Sequence, residues 1–282
     1  MERKNRTVWI FVAIVLVAAC CCVVLVAAIG MGWLATGPDT LDLGGLHREQ
    51  LERTFKVSDA PQLNIATFAG EITIRAGADD AIHVTATKRA VNRNNLDRIQ
   101  LDMSSQGNGV RIEARLPGNR SNSAVDLEIT APTGTRVELS SGAGDLEVSG
   151  LRGPLTVDLG AGVANIRDVS GMLDVDSGAG DIDVRRSTGP VRLFLGAGQI
   201  TYEGNPVGDC RFQTGAGNVD LKLPRELNMR LDLSTGIGSI DVDYDVAGSV
   251  RSREVQGLVG DGSGGTLDAH SGAGLIRLRP RQ

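Results

Sequence analysis

Two hydrophobic patterns divide the chain. From Val8 to Ala35 no residue is charged, and the run reads VWIFVAIVLVAACCCVVLVAAIGMGWLA. About 20 apolar residues rising ~1.5 Å each span a bilayer, so this stretch predicts one transmembrane helix with room to tilt. Beyond residue 136 the pattern is an apolar–polar alternation of period two, the signature of half-buried strands. It is interrupted by Gly-Ala-Gly at 142–144, 160–162, 178–180, 196–198, 215–217 and 272–274, and by Gly-Ile-Gly at 236–238. The first four tripeptides are 18 residues apart, and the next two gaps are 19 and 21.

Alignment on the tripeptide gives columns with physical meaning. Five residues before the first Gly stand Val137, Leu155, Leu173, Val191, Cys210, Leu231 and Leu267. Four after it stand Leu146, Ala164, Ile182, Ile200, Val219, Ile240 and Ile276. The alternation changes phase inside the tripeptide, as at a bulge or corner, where Gly supplies backbone freedom and a small Ala allows close approach. Further glycines near 150, 171, 189 and 204–208 mark a second turn. Each unit therefore reads strand, corner, strand, turn. Identical columns are satisfied by coils stacked in register at ~4.8 Å, which predicts an all-β fold of the β-solenoid type over 137–282.

Upstream the repeat is irregular. Leu63–Ile74 fits the columns with Phe68-Ala69-Gly70 at the corner, and is expected to be the first coil. Strands are expected near 81–88, 98–104, 109–116 and 124–130, with a polar loop at 118–123. Residues 56–136 thus form an N-terminal portion that caps the stack, since terminal repeats must protect an open edge. A sandwich-like arrangement of these strands is the alternative. Residues 36–55 read as a spacer with a short helical turn at His47–Arg53, and no other helical period is evident in the ectodomain.

Charge orients the chain. Arg3, Lys4 and Arg6 precede the apolar run, and Asp39 and Asp42 follow it. The positive-inside rule then makes residues 1–7 a cytoplasmic stub and places everything after residue 35 outside the cell membrane. Trp9 and Trp33 sit near the two interfaces. A cleaved signal peptide would be shorter, about 7–15 apolar residues. Val17-Ala18-Ala19-Cys20 resembles a lipobox that would make Cys20 a lipidated first residue, but fifteen more apolar residues follow it.

Composition narrows the chemistry. A net charge of -5 and a pI near 5.3 argue against nucleic acid as a partner. With aromatics at 3 % and Gly at 37 residues, the interior must be aliphatic. Cys20, Cys21 and Cys22 lie in the apolar run, which leaves Cys210 alone in the ectodomain as a small buried hydrophobe, with no disulfide framework.

Gly-Ala-Gly-Asp at 142–145 and 178–181 invites a calcium-repeat reading. That motif needs a nine-residue period, and the column here runs Asp145, Val163, Asp181, Gln199, Asn218, Ser239, Leu275. The outward column Glu147, Asn165, Asp183, Thr201, Asp220, Asp241, Arg277 could suggest a polysaccharide-cleaving groove, yet neutral residues separate its acids. His47, His83 and His270 are far apart in sequence, and no Ser/His/Asp or metal-ligand spacing is present. The glycines lack the strand–loop–helix setting of a phosphate loop. No catalytic, cofactor-binding or metal-binding residue is expected. One outward aromatic, Phe194, stands among Ser140, Asp158, Asp176, Gln213 and Ser234 as a candidate contact point.

The segment 127–166, with Ala131-Pro132-Thr133-Gly134 leading into a strand and then Ser-Gly-Ala-Gly-Asp, resembles the bacterial DUF4097 family of β-strand repeat proteins, whose label is "putative adhesin". The resemblance spans roughly 55–280. It implies a solenoid-like fold, an envelope location and no known catalytic residues. The expected function is a membrane-anchored, extracytoplasmic, non-enzymatic module that binds a protein or glycan. Its membrane contact is residues 8–35. The alternative is the sensing arm of an envelope-stress or signalling system, in which related toast-rack domains occur.

Overall fold

Residues eighteen apart lie side by side. In the computed structural model, which describes residues 46–118 and 122–281, Leu155 pairs with Leu173 and Leu173 with Val191 in parallel, and this register holds as far as Arg185. The predicted helix at 8–35, the stub and Cys20–Cys22 lie outside the described residues, within which no helix is long and apolar enough to cross a membrane.

The strands in chain order are β1 (His47–Lys56), β2 (Gln62–Thr67), β3 (Ile72–Gly77) and β4 (Ala81–Ala90). A helix α1 (Arg93–Arg98) leads to β5 (Gln100–Gln106), β6 (Gly109–Arg115), β7 (Ser123–Pro132), β8 (Arg136–Ser141) and β9 (Leu146–Ser149). Three long bent strands follow: β10 (Leu155–Arg167), β11 (Leu173–Gly189) and β12 (Val191–Pro206). The chain ends with β13 (Cys210–Ala216), β14 (Val219–Leu223), β15 (Met229–Val242), β16 (Ala247–Val250), β17 (Glu254–Val259) and β18 (Thr266–Pro280). The fold is all-β and solenoid-like, each coil having two limbs that meet at the tripeptide corner.

Spatial order differs from sequence order at both ends. The coil β2–β3 is the second, not the first, because β6 and β7 pair in parallel with its far side. At the other end β18 inserts between β13–β14 and β15, so the final strand is the penultimate coil and β15 the last. The irregular N-terminal portion thus caps the stack, and two of its strands form a coil of their own. Strands β6 and β7 complete a coil, while β5 and the pair β4 and β1 close it by antiparallel pairing.

The spacer reading of 47–55 gives way to strand β1, which pairs with β4 along ten residues. Local sequence there has no clear period, and the strand exists because β4 offers it an edge. Helix α1 was likewise invisible to periodicity, being barely more than one turn. Asn92 caps it, accepting the Asn95 N–H at 2.8 Å, and Leu96 anchors it in the core.

The corners depend on both glycines, for separate reasons. At Gly180 φ is +124°, and a Cβ would stand 1.9 Å from the Gly162 carbonyl oxygen of the coil beneath. The first glycine, Gly178, has no such φ, but its Cβ would fall 2.5 Å from Gly160 O. The middle Ala, expected to permit this approach, instead points to solvent. At the second turn the left-handed position passes from Gly150 to Asp168 (φ 56°) and Arg186 (φ 52°). These two side chains make a forked ion pair at 2.7 and 2.8 Å. Inside, Tyr202 is the one aromatic in its column and meets Phe212 at 5.1 Å. The strand beside it bulges between Arg185 and Ser187.

Candidate binding face

The outward positions of the first limb form a continuous surface. On it the side chains two residues before the corner follow one another as Asp158, Asp176, Phe194, Gln213, His270 and Ser234. His270 enters this row only because β18 sits between β13 and β15, which the sequence order conceals. The parallel row runs Asp174, Arg192, Arg211, Asp268, Asp232. Phe194 therefore stands where Asp158 and Asp176 give way to Gln213 and His270, while in the parallel row Arg192 lies on its own strand and Arg211 is paired with Asp268 at 3.1 Å.

An open groove of about 350 Å³ lies beside the ring. Phe194, Gln213 and His270 form its wall, Asp176 its acidic end, and Gly196, Gly215 and Gly272 its floor. The missing Cβ atoms of these corner glycines let the coils stack: on Gly196 a Cβ would fall 2.3 Å from Gly178 O of the neighbouring coil. Phe194 is half-buried and lines the groove.

Several pairings escaped the sequence reading. His270 Nδ1 lies 3.0 Å from Ser234 Oγ, and His83 bridges Thr54 (3.1 Å) and Asp79 (3.7 Å). Such groups resemble parts of a nucleophile–base–acid relay. That chemistry needs a buried orienting carboxylate and oxyanion donors, whereas Asp79 is 79 % exposed. A second groove of about 310 Å³, lined by Arg48, Arg89 and Asp126 among others, has its central charges joined by the Arg89–Asp126 ion pair.

The aspartates of the corner string have a structural use. Asp145 Oδ1 accepts the Val163 N–H at 3.0 Å, and Asp181 Oδ1 accepts the Gln199 N–H at 2.9 Å. Asn218 does the same for Leu275, and Asp126 for Glu71. Along the stack these acceptors occupy every second coil, so each serves one neighbour. In the outward acid column Asp183 is forked to Arg185 at 3.0 and 2.6 Å, and Asp241 meets Arg279 at 3.3 Å. Among the described residues no three His, Cys, Asp or Glu side chains converge as a metal would require. Cys210 is buried, and burial pushes its thiol pKa up.

The family model of Toastrack DUF4097 matches residues 61–266, more than two thirds of the chain. The chain belongs to the Toastrack DUF4097 family. The coils from β2 to β17 lie within that match, whereas β18, which begins at Thr266 and brings His270 and Gly272 to the Phe194 groove, lies beyond it apart from its first residue. Among solved structures, this Toastrack chain is similar to a putative cell adhesion protein from Clostridium sporogenes ATCC 15579, at 12 % identity and a TM-score of 0.38, covering 83 % of this chain and 100 % of that one. It is also similar to a putative lipid binding protein from Parabacteroides distasonis ATCC 8503, at 13 % identity and a TM-score of 0.41. That likeness covers 83 % of this chain and 97 % of the other. A putative adhesin from Bacteroides fragilis NCTC 9343 is similar at 11 % identity and a TM-score of 0.30, with coverage of 83 % and 97 %. No curated protein matches the chain.

Proposed function

We propose that the chain is a membrane-anchored, extracytoplasmic binding module with a non-enzymatic, adhesin-like role at the cell envelope. Its ligand, a protein or a glycan, is met through the Phe194 groove. The observation that carries this reading is the row of ring, amide and imidazole at coil spacing over a glycine floor. A half-buried aromatic flanked by a few convergent polar groups is the usual composition of a recognition site. The charge-free run at 8–35 with its basic flank supports the anchor and the outward orientation.

Two measurements test it. An Ala179→Cys variant of the full chain should react with a membrane-impermeant maleimide in intact cells, and protection there would overturn the outward orientation. Full chain in detergent should bind members of a glycan and matrix-protein panel, with Phe194→Ala and Gln213→Ala each lowering that binding at least ten-fold. Binding that ignores both substitutions would remove the groove from the reading.

A further inference from the structure

The open end of the stack carries a surface that its own fold leaves uncovered. In every inner coil the two apolar positions after the corner are sealed. Ile182 and Val184, Ile200 and Tyr202, and Ile276 and Leu278 are 0–1 % exposed. In the last coil the same columns hold Ile240 and Val242, which are only half-buried. The cause is the closing hairpin. Strand β17 pairs with Met229–Ser234 on the first limb, and β16 pairs with β17. Along the second limb, among the described residues, only Ser252 reaches the strand, its carbonyl accepting the Ile240 N–H at 2.8 Å.

A second observation points the same way. The corner residue between the glycines is Ala143, Ala161, Ala179, Ala197, Ala216 and Ala273 in six coils. Only the open coil has a large residue there, Ile237, and it is 74 % exposed. Val250, on the closing hairpin, is 60 % exposed. Tyr244 and Val246, further along the chain, are half-buried against the core, and the Tyr244 hydroxyl reaches back to Leu223 O and Pro224 O at 3.1 and 2.8 Å. The rim is polar at both extremes. Asp243, 3.6 Å from Arg279, and Asp245 lie past the far end of the limb, and Arg251, 3.3 Å from Glu254, and Arg253 pass over the corner end, where Arg253 O accepts the Thr235 N–H at 3.0 Å.

We propose that this end docks on the same end of a second copy of the chain, in a two-fold pair. The opposite end of the stack is closed on both limbs by β5, β4 and β1, so head-to-tail stacking has no matching surface. A two-fold pair uses one patch twice, each residue meeting the partner's reciprocal one. With the axis crossing the middle of the limb, each acidic extreme faces the partner's basic extreme. The apolar strip between them is the part a neighbouring coil would otherwise bury.

Sedimentation of the full chain in detergent at micromolar concentration tests this pairing. A dimer is expected. Ile237→Asp combined with Val250→Asp should convert it to monomer, and both sites are exposed enough that the far-UV spectrum should not change. Arg251→Glu with Arg253→Glu should weaken the dimer at least ten-fold, and adding Asp243→Lys and Asp245→Lys should restore it. A monomeric full chain would overturn the proposal. So would a dimer indifferent to Ile237 and Val250, which would place the contact elsewhere, for instance in residues 1–45.

Discussion

The two ends of the stack solve one problem to different degrees. The end built from β6 and β7 keeps Val110, Ile112, Leu127 and Ile129 at 0–2 % exposure, because β5 covers one limb and β4 with β1 covers the other. The end built from β15 has one hairpin on one limb, and Ile240 and Val242 remain half-buried. Both ends use the same topological device. The chain places its outermost coil one step inward in sequence and threads a terminal segment into the neighbouring slot. What separates them is the amount of chain spent on closure. An uncapped coil exposes apolar columns that were satisfied everywhere else by stacking, so capping is a property of ends and not of repeats.

Glycine substitutions should separate pinned coils from the free one most sharply. Gly180→Ala forces a Cβ into the Gly162 carbonyl with another coil holding it from above. It should cost more than about 3 kcal/mol, as strain at a left-handed position with no room to relax. Gly238→Ala keeps the left-handed strain, φ +139°, and meets Gly274 O at 2.0 Å, but among the described residues Arg253 and Ser252, not another coil, hold its corner from outside. Its cost in urea denaturation should be less than half as large. Equal losses would mean that the open end is as rigid as the interior.

Column burial gives the next contrast. Ile200→Ala should cost about 2–5 kcal/mol, the range for truncating a fully buried aliphatic side chain. Ile240→Ala, in the same column but half-buried, should cost about 1 kcal/mol. Hydrogen exchange on the unsubstituted chain should agree, with amides of 238–250 exchanging faster than those of 109–115.

A smaller effect concerns the alternate-coil acceptors. Asp181→Ala removes the partner of the Gln199 N–H and should cost about 1 kcal/mol, while Asp181→Asn keeps an acceptor and should be nearly neutral. Since Asp181 is on the surface, an Asn variant as weak as Ala would show that charge, not acceptance, matters there.

The smallest effect at neutral pH comes from the two tyrosines. Burial raises both phenols, Tyr202 well above the usual range and Tyr244 to about 12. In the unfolded chain each ionises near pH ~10. Their contribution is therefore intact below about pH 10 and is lost as pH rises towards the folded values. A Tyr202→Phe, Tyr244→Phe chain should show a flatter stability curve above pH 10. At pH 7 Tyr202→Phe alone should be neutral or slightly stabilising, because its hydroxyl lies beside Ser187 Oγ without completing a hydrogen bond in good geometry. The Tyr244 hydroxyl donates to Pro224 O at 2.8 Å, so its loss should loosen the segment beside the open end.

Much of the fold was legible because stacking forces identical environments on residues eighteen apart. The columns of Leu155, Leu173 and Val191 could be read as interior and paired from spacing alone. The corner was legible for the same reason, although its parts were misassigned: the glycines make the close approach and the alanines face water. The short helix at 93–98 and the strand at 47–56 were not legible, since one turn is too brief to show a period and an edge strand borrows its structure from its neighbour.

The sequence by itself determined the solenoid, its interior ladders and the need for glycine at the corners, all of which are local rules repeated along the chain. Tertiary structure alone decided the order of coils at the two ends, which is a matter of long-range pairing that no local pattern encodes. That order sets His270 beside Gln213 in the Phe194 groove, and it leaves Ile237, Ile240 and Val242 on a last coil whose second limb, among the described residues, has no further strand paired over it.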